Sequence, residues 1–144
     1  MATTATLSIS SDIIDYFGGI SKSMTMTKAG TLNDIEETVG FSRRKLTATA
    51  ATDLIRMATE LVDTTATTTA AKVYIKNNGN NGVIDKSLYV TVSLGDTGGT
   101  TQQIGRLYGG DWMLFPVTAV DDVDVVVAPS TDDAVVLEYT MFYE

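Results

Sequence analysis

Five aspartates in the last quarter of the sequence are the residues whose type and spacing could do chemistry. They flank the apolar run VDVVVA and comprise Asp121, Asp122, Asp124, Asp132 and Asp133. Carboxylate oxygens are the ligands that Ca²⁺ prefers in proteins. The D-x-D-x-D-G loop with its distal Glu is missing, so we favour acidic turns that keep the ends of a sheet hydrated. Calcium binding stays open as the alternative.

The sequence lacks the residues that most often carry catalysis. It contains no cysteine and no histidine, which excludes a thiolate nucleophile, a Cys-ligated metal and an imidazole base. The segments NGNNG and LGDTGG are not followed by the helix start that a phosphate-binding loop requires. A pair of carboxylates acting on a glycosidic bond is a minor alternative. We therefore predict a protein that is not an enzyme and that has no catalytic residue, no cofactor and no bound transition metal.

The net charge of −8 is unevenly distributed along the chain. Residues 1–72 contain seven Lys/Arg and eight Asp/Glu, whereas residues 73–144 contain three and ten. A chain with this balance repels nucleic acid over most of its surface, so we predict no nucleic-acid partner. Arg43, Arg44 and Lys45 form a small basic cluster, which is typical of a solvated edge. These three residues are also candidates for a contact with another subunit.

The apolar segments of the sequence are short. None approaches the roughly 18 residues that are needed to span a bilayer. The first residues, MATTATLSISSD, lack the basic and apolar regions of a signal peptide. We therefore expect no membrane partner and no export.

The composition favours strands. Threonine occurs 23 times and proline only twice, and Val, Ile, Tyr and Phe are used heavily. Such residues suit the half-buried surface of a sheet. Roughly eight short strands with turn residues between them predict an all-β fold, a single β-sandwich or jelly-roll-like domain.

The N-terminal third has the weakest pattern. Alternating apolar residues predict short strands near residues 5–9, 24–26 and 39–41. Because termini stay mobile unless they are tied down, we interpret residues 1–45 as an extended N-terminal arm that includes these early strands. Residues 46–144 then form the sandwich.

The segment KVYIKNNGNNGVIDKSLYVTVSL, residues 72–94, predicts a half-buried hairpin. Val73 and Ile75 share one face of its first strand, and Val90 and Val92 share one face of its second strand. The loop between these strands consists almost wholly of Asn and Gly. We expect it to be a tolerant turn that faces solvent.

Residues 52–62, TDLIRMATELV, fit two structures. Leu54, Ile55, Ala58, Leu61 and Val62 have the spacing of an amphipathic helix. The same segment fits a strand through Leu54 to Met57. Threonine-rich flanks weaken a helix of any length, so the strand is favoured.

Two apolar segments near the end of the sequence indicate which residues are buried or in contact with a second subunit. A lone tryptophan is more often a core residue than a binding platform, so the run from Trp112 to Phe115 favours the core. The last strand, VVLEYTMFYE, is apolar on both faces. It is therefore expected to be buried, with the face that carries Phe142 partly in contact with a second subunit. Trp112 and Phe142 complete the predicted subunit contacts.

The order of motifs in the second half resembles a known family. KVYIKN is followed by an alternating strand, then by IGRLYGGDWMLFP and by VVVAPSTDDAVVLEYTMFYE. This order is similar to that of small β-sandwich virion proteins of tailed bacteriophages, in which a Y-I-K-N-like strand and a later G-x-W/F-x-x-x-P strand recur. The resemblance covers residues 72–144 and extends only loosely to residues 1–71.

The resemblance implies a non-enzymatic virion structural protein, with a capsid decoration (cement) protein as the favoured form. Such a protein would stabilise the head by contacts to the major capsid protein and to itself, as a dimer or trimer. It would be assembled in the host cytoplasm and lie on the outer capsid surface of the virion. The alternative is a tail, neck or fibre subunit that binds a glycan through aromatic side chains on one face, such as Tyr74, Tyr89 or Tyr108.

Overall fold

The computed structural model describes residues 4–10, 21–27, 37–38, 42–57, 70–80, 83–118 and 123–143. Eleven strands lie within these residues. They are β1 (Thr4–Ser10), β2 (Ser21–Thr27), β3 (Glu37–Thr38), β4 (Ser42–Leu46), β5 (Thr52–Ile55), β6 (Ala70–Asn80), β7 (Tyr89–Gly95), β8 (Thr101–Tyr108), β9 (Trp112–Thr118), β10 (Asp124–Pro129) and β11 (Val135–Tyr143).

The chain forms two compact units, Met1–Glu37 and Thr38–Tyr143. In the first unit β1 and β2 pair antiparallel, from Thr4 opposite Thr27 to Ser10 opposite Ser21. Two of the predicted early strands are therefore present, while residues 39–41 lie outside the described residues. The predicted boundary lies between residues 45 and 46, whereas the two compact units meet in the sequence between residues 37 and 38. β4 belongs to the second unit because it pairs with β11.

The second unit is an all-β sandwich of two antiparallel sheets, which confirms the predicted fold class. The β7 sheet has the strand order β5-β10-β7-β8. The β6 sheet has the order β4-β11-β6-β9, and the short β3 belongs to the same sheet. From β4 to β7, and again from β8 to β11, each strand lies in the sheet opposite to that of the strand before it. β7 and β8 are the exception, since they pair as a hairpin within one sheet.

The hydrophobic core lies between the inner faces of the two sheets. Val73 and Ile75 from β6, and Val90 and Val92 from β7, are completely buried, as their alternation predicts. The core is completed by residues of the remaining strands, among them Leu46, Leu54, Ile55, Leu107, Val117, Val125, Val127, Val135, Leu137 and Met141. The predicted burial of β11 is confirmed, because this strand lies between β4 and β6.

The predicted hairpin over residues 72–94 is wrong. β6 pairs with β11 and β9, whereas β7 pairs with β10 and β8 in the opposite sheet. At the end of β6, Gly79 has φ +79° and Asn80 bridges to Val83, and the chain then crosses between the sheets. Alternation predicted the buried face of each strand correctly, but it contains no information about the neighbouring strand.

The segment from residue 52 begins as a strand. Thr52–Ile55 pairs antiparallel with β10, as the strand interpretation predicts. Met57 is buried and helical, so the strand does not continue to it. Residues 58–62 lie outside the described residues.

Candidate functional site

The outer face of the β6 sheet is the side that points away from the core. Because side chains alternate along a strand, every second residue belongs to it. Its members are Arg43 and Lys45 on β4, Val136, Glu138, Thr140 and Phe142 on β11, Lys72, Tyr74 and Lys76 on β6, and Trp112, Leu114 and Pro116 on β9. The structure therefore brings four of the five predicted contact residues to one face, namely Arg43, Lys45, Trp112 and Phe142.

A row of side chains crosses this outer face from strand to strand. The pairing register sets Arg43 beside Glu138, and Glu138 beside Lys76. Lys76 is in turn beside Trp112. Arg43 and Glu138 form an ion pair with an N–O distance of 2.9 Å, and the ring centroids of Trp112 and Tyr74 are 6.4 Å apart. Arginine and aromatic side chains are the residues enriched where proteins contact each other.

The charge of the outer face is opposite to that of the whole chain. Four cations, Arg43, Lys45, Lys72 and Lys76, share the face with one carboxylate, Glu138. The chain as a whole has a net charge of −8. A locally positive surface on an acidic protein favours an acidic partner at that place.

Part of the outer face is closed to a partner. Phe142 is only 7% exposed and Thr140 is completely buried, although both lie on the side away from the core. By contrast, the side chain of Arg43 is 73% exposed and Trp112 is 41% exposed. The accessible part of the face therefore includes the row that ends at Trp112 together with Lys45 and Pro116. A subunit contact at Phe142 stays a prediction.

Arg44 differs from its two basic neighbours. It points to the inner side of β4, where its guanidinium donates a hydrogen bond to the backbone carbonyl of Asp53. Asp53 belongs to β5 in the β7 sheet. Arg44 therefore links the two sheets, and the basic cluster of the sequence is divided between two sides of one strand.

Tyr74 is the outer-face residue with a shifted pKa. Burial, and in second place the negative charge of Glu138, raises the pKa of the Tyr74 phenol. Both effects disfavour the phenolate. The ring therefore stays neutral beside Trp112 at physiological pH.

Exposed apolar residues concentrate where β6 ends and β9 begins. We call residues 83–88 and 108–112 the loop end. It contains Val83 (70% exposed), Ile84 (58%), Tyr108 (40%) and Trp112 (41%), four of the five large hydrophobic residues that are exposed in the described part of the chain. The sequence favoured a core position for Trp112, and this prediction is wrong. Trp112 lies on the outer face, beside the outward-pointing Lys76.

The side chain of Asn77 joins the two sheets beneath the loop end. It is completely buried, and its Nδ2 donates to the carbonyl of Leu107 in β8 at 3.0 Å. Its Oδ1 accepts from the backbone N–H of Gly79 at 2.8 Å. The loop of Asn and Gly was predicted to be a tolerant turn that faces solvent, and for Asn77 this prediction is wrong. One signal in the sequence was available, because Asn77 continues the inward alternation of Val73 and Ile75.

Two glycines allow the backbone to pass close to this junction. A Cβ at Gly79 would lie 2.1 Å from the carbonyl oxygen of Val83. A Cβ at Gly109 would lie 2.3 Å from the carbonyl oxygen of Asp85. Both neighbours are backbone atoms that cannot move aside easily. The two segments of the loop end are thus packed against β6 and against each other.

The second aromatic group lies on the opposite sheet. Tyr89 on β7 and Tyr108 on β8 have ring centroids 5.4 Å apart, and the guanidinium carbon of Arg106 lies 4.6 Å from the centre of the Tyr89 ring. Tyr74 lies in the β6 sheet beside Trp112. The three tyrosines suggested for glycan binding therefore do not share one face.

Asp124, Asp132 and Asp133 each accept a hydrogen bond from a nearby group, which for Asp133 is the Thr131 hydroxyl at 3.4 Å. Asp124 accepts a hydrogen bond from the Met57 N–H at 2.8 Å, and Asp132 accepts one from the Thr49 N–H at 3.0 Å. Within the described ranges, no group of three or more acidic side chains is placed to hold a metal ion. Asp121 and Asp122 lie outside those ranges. Nor does any helix of the described part have the length and apolar character needed to cross a membrane.

Comparisons with known proteins find little similarity. No protein-family model and no curated protein matches the sequence. A solved structure reported as "Bacillus endospore appendages form a novel family of disulfide-linked pili" is similar over 79% of this chain and 92% of that chain, with 20% sequence identity and a TM-score of 0.42.

Proposed function

We propose that this chain is a non-enzymatic structural subunit that acts by protein–protein contact through the outer face of the β6 sheet. The observation that supports this role is the row of Arg43, Glu138, Lys76 and Trp112, which is aligned across four strands. A rigid sheet holds these side chains in a defined array, which favours recognition of one specific surface.

The form of this role that we favour is a capsid decoration protein of a tailed bacteriophage. This proposal rests on the resemblance of residues 72–144 to small virion proteins of such phages. In this role the positive outer face would contact an acidic region of the major capsid protein on the outer surface of the head. A tail, neck or fibre subunit is the alternative position in the particle.

Immunogold electron microscopy of the virions tests this function. An antibody raised against the purified chain is applied to tailed-phage particles from the source of the sequence. Label on heads supports decoration, and label on tails, necks or fibres supports the alternative. Particles without label that contain no copy of the chain by mass spectrometry would refute a virion role.

A pair of matched variants then tests the surface. Trp112 and Ile104 are both 41% exposed, but Ile104 lies on β8 in the opposite sheet. In rebinding to particles stripped of the chain, Trp112→Ser is expected to weaken attachment about tenfold or more, because tryptophan is enriched among the residues that dominate binding energy. Ile104→Ser is expected to bind as the wild type does. Equal binding by both variants would exclude the outer face as the contact.

A second candidate function is glycan binding by a fibre or tail subunit. Tyr89, Tyr108 and Arg106 form an aromatic group with a cation on the outer side of the β7 sheet, and Tyr108 is 40% exposed. Exposed aromatic rings can stack against sugar rings. Binding on a glycan array that is lost in Tyr108→Ala and kept in Trp112→Ser would favour this function.

A further inference from the structure

The end of β6 contains a dipeptide whose two residues can react with each other. Asn78 is followed directly by Gly79. In an Asn–Gly pair the backbone nitrogen of the glycine can attack the side-chain amide carbon of the asparagine, because glycine has no Cβ to hinder the approach. Asn78 is partly exposed, so water can reach its side chain. The pair is therefore a candidate site of deamidation.

The fold requires glycine at position 79. Its φ of +79° lies in the left-handed region, and an added Cβ would lie 2.1 Å from the carbonyl oxygen of Val83. A larger residue fits there only if the backbone moves. The reactive dipeptide is thus built into the backbone geometry, and its rate of reaction depends on what surrounds it.

The side chain of Asn77 holds the attacking nitrogen. The Gly79 N–H donates a hydrogen bond to Oδ1 of Asn77 at 2.8 Å, and both residues are buried. Asn77 is fixed in turn by its hydrogen bond to the Leu107 carbonyl in the opposite sheet. Ring closure also requires Asn78 to leave the extended conformation of a strand, and Asn78 lies within β6. The nitrogen can therefore turn toward the Asn78 side chain only when the end of β6 opens.

The strand ladder is irregular at this point. The register of β6 against β11 shifts between Leu137, which is opposite Asn77, and Val135, which is opposite Asn80. The β6 segment between these two pairs has one residue more than the β11 segment. Such a bulge disrupts the ladder locally. The hydrogen bond from Gly79 to the Asn77 side chain therefore secures a segment that regular pairing does not.

We propose that Asn78 is a site of spontaneous deamidation and that the Asn77 side chain holds this reaction in check. A bond forms between the Gly79 nitrogen and Cγ of Asn78, the nitrogen gives up its proton, and the bond from Cγ to Nδ2 breaks, so that ammonia leaves. Water then opens the cyclic imide at one of its two carbonyls and yields aspartate or isoaspartate. The reaction consumes water and needs no oxidant or reductant.

The modification changes both the charge and the backbone at the end of β6. Either product adds a carboxylate to a chain whose net charge is already −8. Isoaspartate also adds one carbon to the main chain directly after Asn77, whose backbone N–H and carbonyl are bonded to Asp111 and Gly110. This chemistry belongs to the chain alone and does not depend on the proposed partner.

Peptide mapping by mass spectrometry tests the site. The full chain is incubated at mildly alkaline pH, folded and in parallel unfolded in urea. Fragmentation has to assign the product to Asn78, because Asn81 and Gly82 form a second Asn–Gly pair in the sequence. We expect deamidation at Asn78 in urea and a rate about tenfold lower or less in the folded wild type. No product at Asn78 in urea, or equal rates in both states, would overturn the proposal.

Two destabilising variants separate the Asn77 hydrogen bond from global stability. Asn77→Ala removes the acceptor of the Gly79 N–H, whereas Leu54→Ala opens a cavity at a buried position of β5 in the opposite sheet. In the folded chain Asn77→Ala is expected to accelerate deamidation at Asn78 about tenfold or more, because loss of a buried hydrogen bond raises the open population by about that factor. Leu54→Ala is expected to react at the wild-type rate.

Near-UV circular dichroism checks that both variants are folded. Equal acceleration in the two variants would mean that the reaction follows global unfolding, and this result would exclude the role of Asn77, as would a wild-type rate in Asn77→Ala. Hydrogen exchange of the Gly79 amide in the wild type tests the same bond without a substitution. We expect this amide to exchange about tenfold or more slowly than in the unfolded chain, and equal exchange would overturn the proposal.

Discussion

Replacing Asn77 by alanine removes the polar side chain that joins the two sheets. In the wild type its amide donates to the Leu107 carbonyl and accepts from the Gly79 N–H, and all of its surface is buried. Alanine can make neither hydrogen bond. The loop end above Asn77 depends on the same residue, because the Asn77 N–H donates to the Asp111 carbonyl and the Asn77 carbonyl accepts from the Gly110 N–H.

The expected loss of stability follows from the two groups that lose their hydrogen bonds, the Leu107 carbonyl and the Gly79 N–H. A buried donor or acceptor left without a partner costs about 1–3 kcal/mol, so Asn77→Ala should lower the free energy of unfolding by about 2–6 kcal/mol. Domains of this size are stable by only about 5–15 kcal/mol, so the change is a large fraction of the total. At about 4 °C per kcal/mol, the melting temperature should fall by about 8 °C or more.

Urea denaturation followed by tryptophan fluorescence measures this change, with Asn78→Ala as the control. Asn78 has the same side chain on the same strand but is partly exposed. We expect its substitution to cost less than about 1 kcal/mol. Equal midpoints for the two variants, at an unchanged slope, would refute the role of Asn77 as a link between the sheets.

A pH series with Asn77→Asp tests the same site by charge. The protonated acid can still donate to the Leu107 carbonyl, but the buried carboxylate cannot. Burial should therefore raise the pKa of the introduced carboxyl in the folded state above its unfolded value of about 3.9. The folded state then holds its proton longer, so stability should fall as pH rises from about 4 up to the folded pKa, by up to about 1.4 kcal/mol per pH unit. A stability curve parallel to that of the wild type would contradict this reasoning.

Three further predictions concern other parts of the sandwich. Gly109→Ala should destabilise the fold by about 1–3 kcal/mol because its Cβ would collide with backbone 2.3 Å away, whereas Gly98→Ala, whose nearest contact is 3.5 Å, should be nearly neutral in the same denaturation assay. Leu137→Ala, at a completely buried position, should cost about 2–5 kcal/mol, and a silent substitution would exclude β11 from the core. The raised pKa of Tyr74 implies that stability falls as pH rises through about 10, since the unfolded state ionises first. The ionisation of the Tyr74 phenol can be followed by absorbance, as the difference between a chain with Tyr74 and the same chain with Tyr74→Phe. In Glu138→Gln it should occur at lower pH, and an unchanged titration would exclude the Glu138 charge as a cause of the raised pKa.

Much of the fold could be predicted because local pattern determines which side of a strand is buried. Alternation identified the inward residues of β6 and β7, and the two apolar faces of the last strand indicated a central position, which β11 occupies between β4 and β6. Threonine-rich flanks disfavoured a helix at Thr52–Ile55, which is a strand. Each of these predictions depends on neighbours within a few residues along the chain.

The candidate site could be predicted only in part. Arg43, Lys45 and Trp112 were predicted as contact residues from their types, yet their placement on one face depends on how four separate strands align. The same alignment placed Arg44 on the inner side and Phe142 in a buried position. The sequence contains no signal for register between strands that are distant along the chain.

By itself the sequence determined that this protein is built of strands, which residues of β6 and β7 face inward, and that catalysis by cysteine or histidine is excluded. Composition and periodicity are local properties, and backbone geometry converts them directly into strands and faces. Only the tertiary structure decided that β6 and β7 belong to different sheets, that Asn77 is a buried link and that Trp112 is exposed. The physical reason is that strand pairing is chosen by the best burial of all strands together, so the environment of any one side chain depends on partners far away in the sequence.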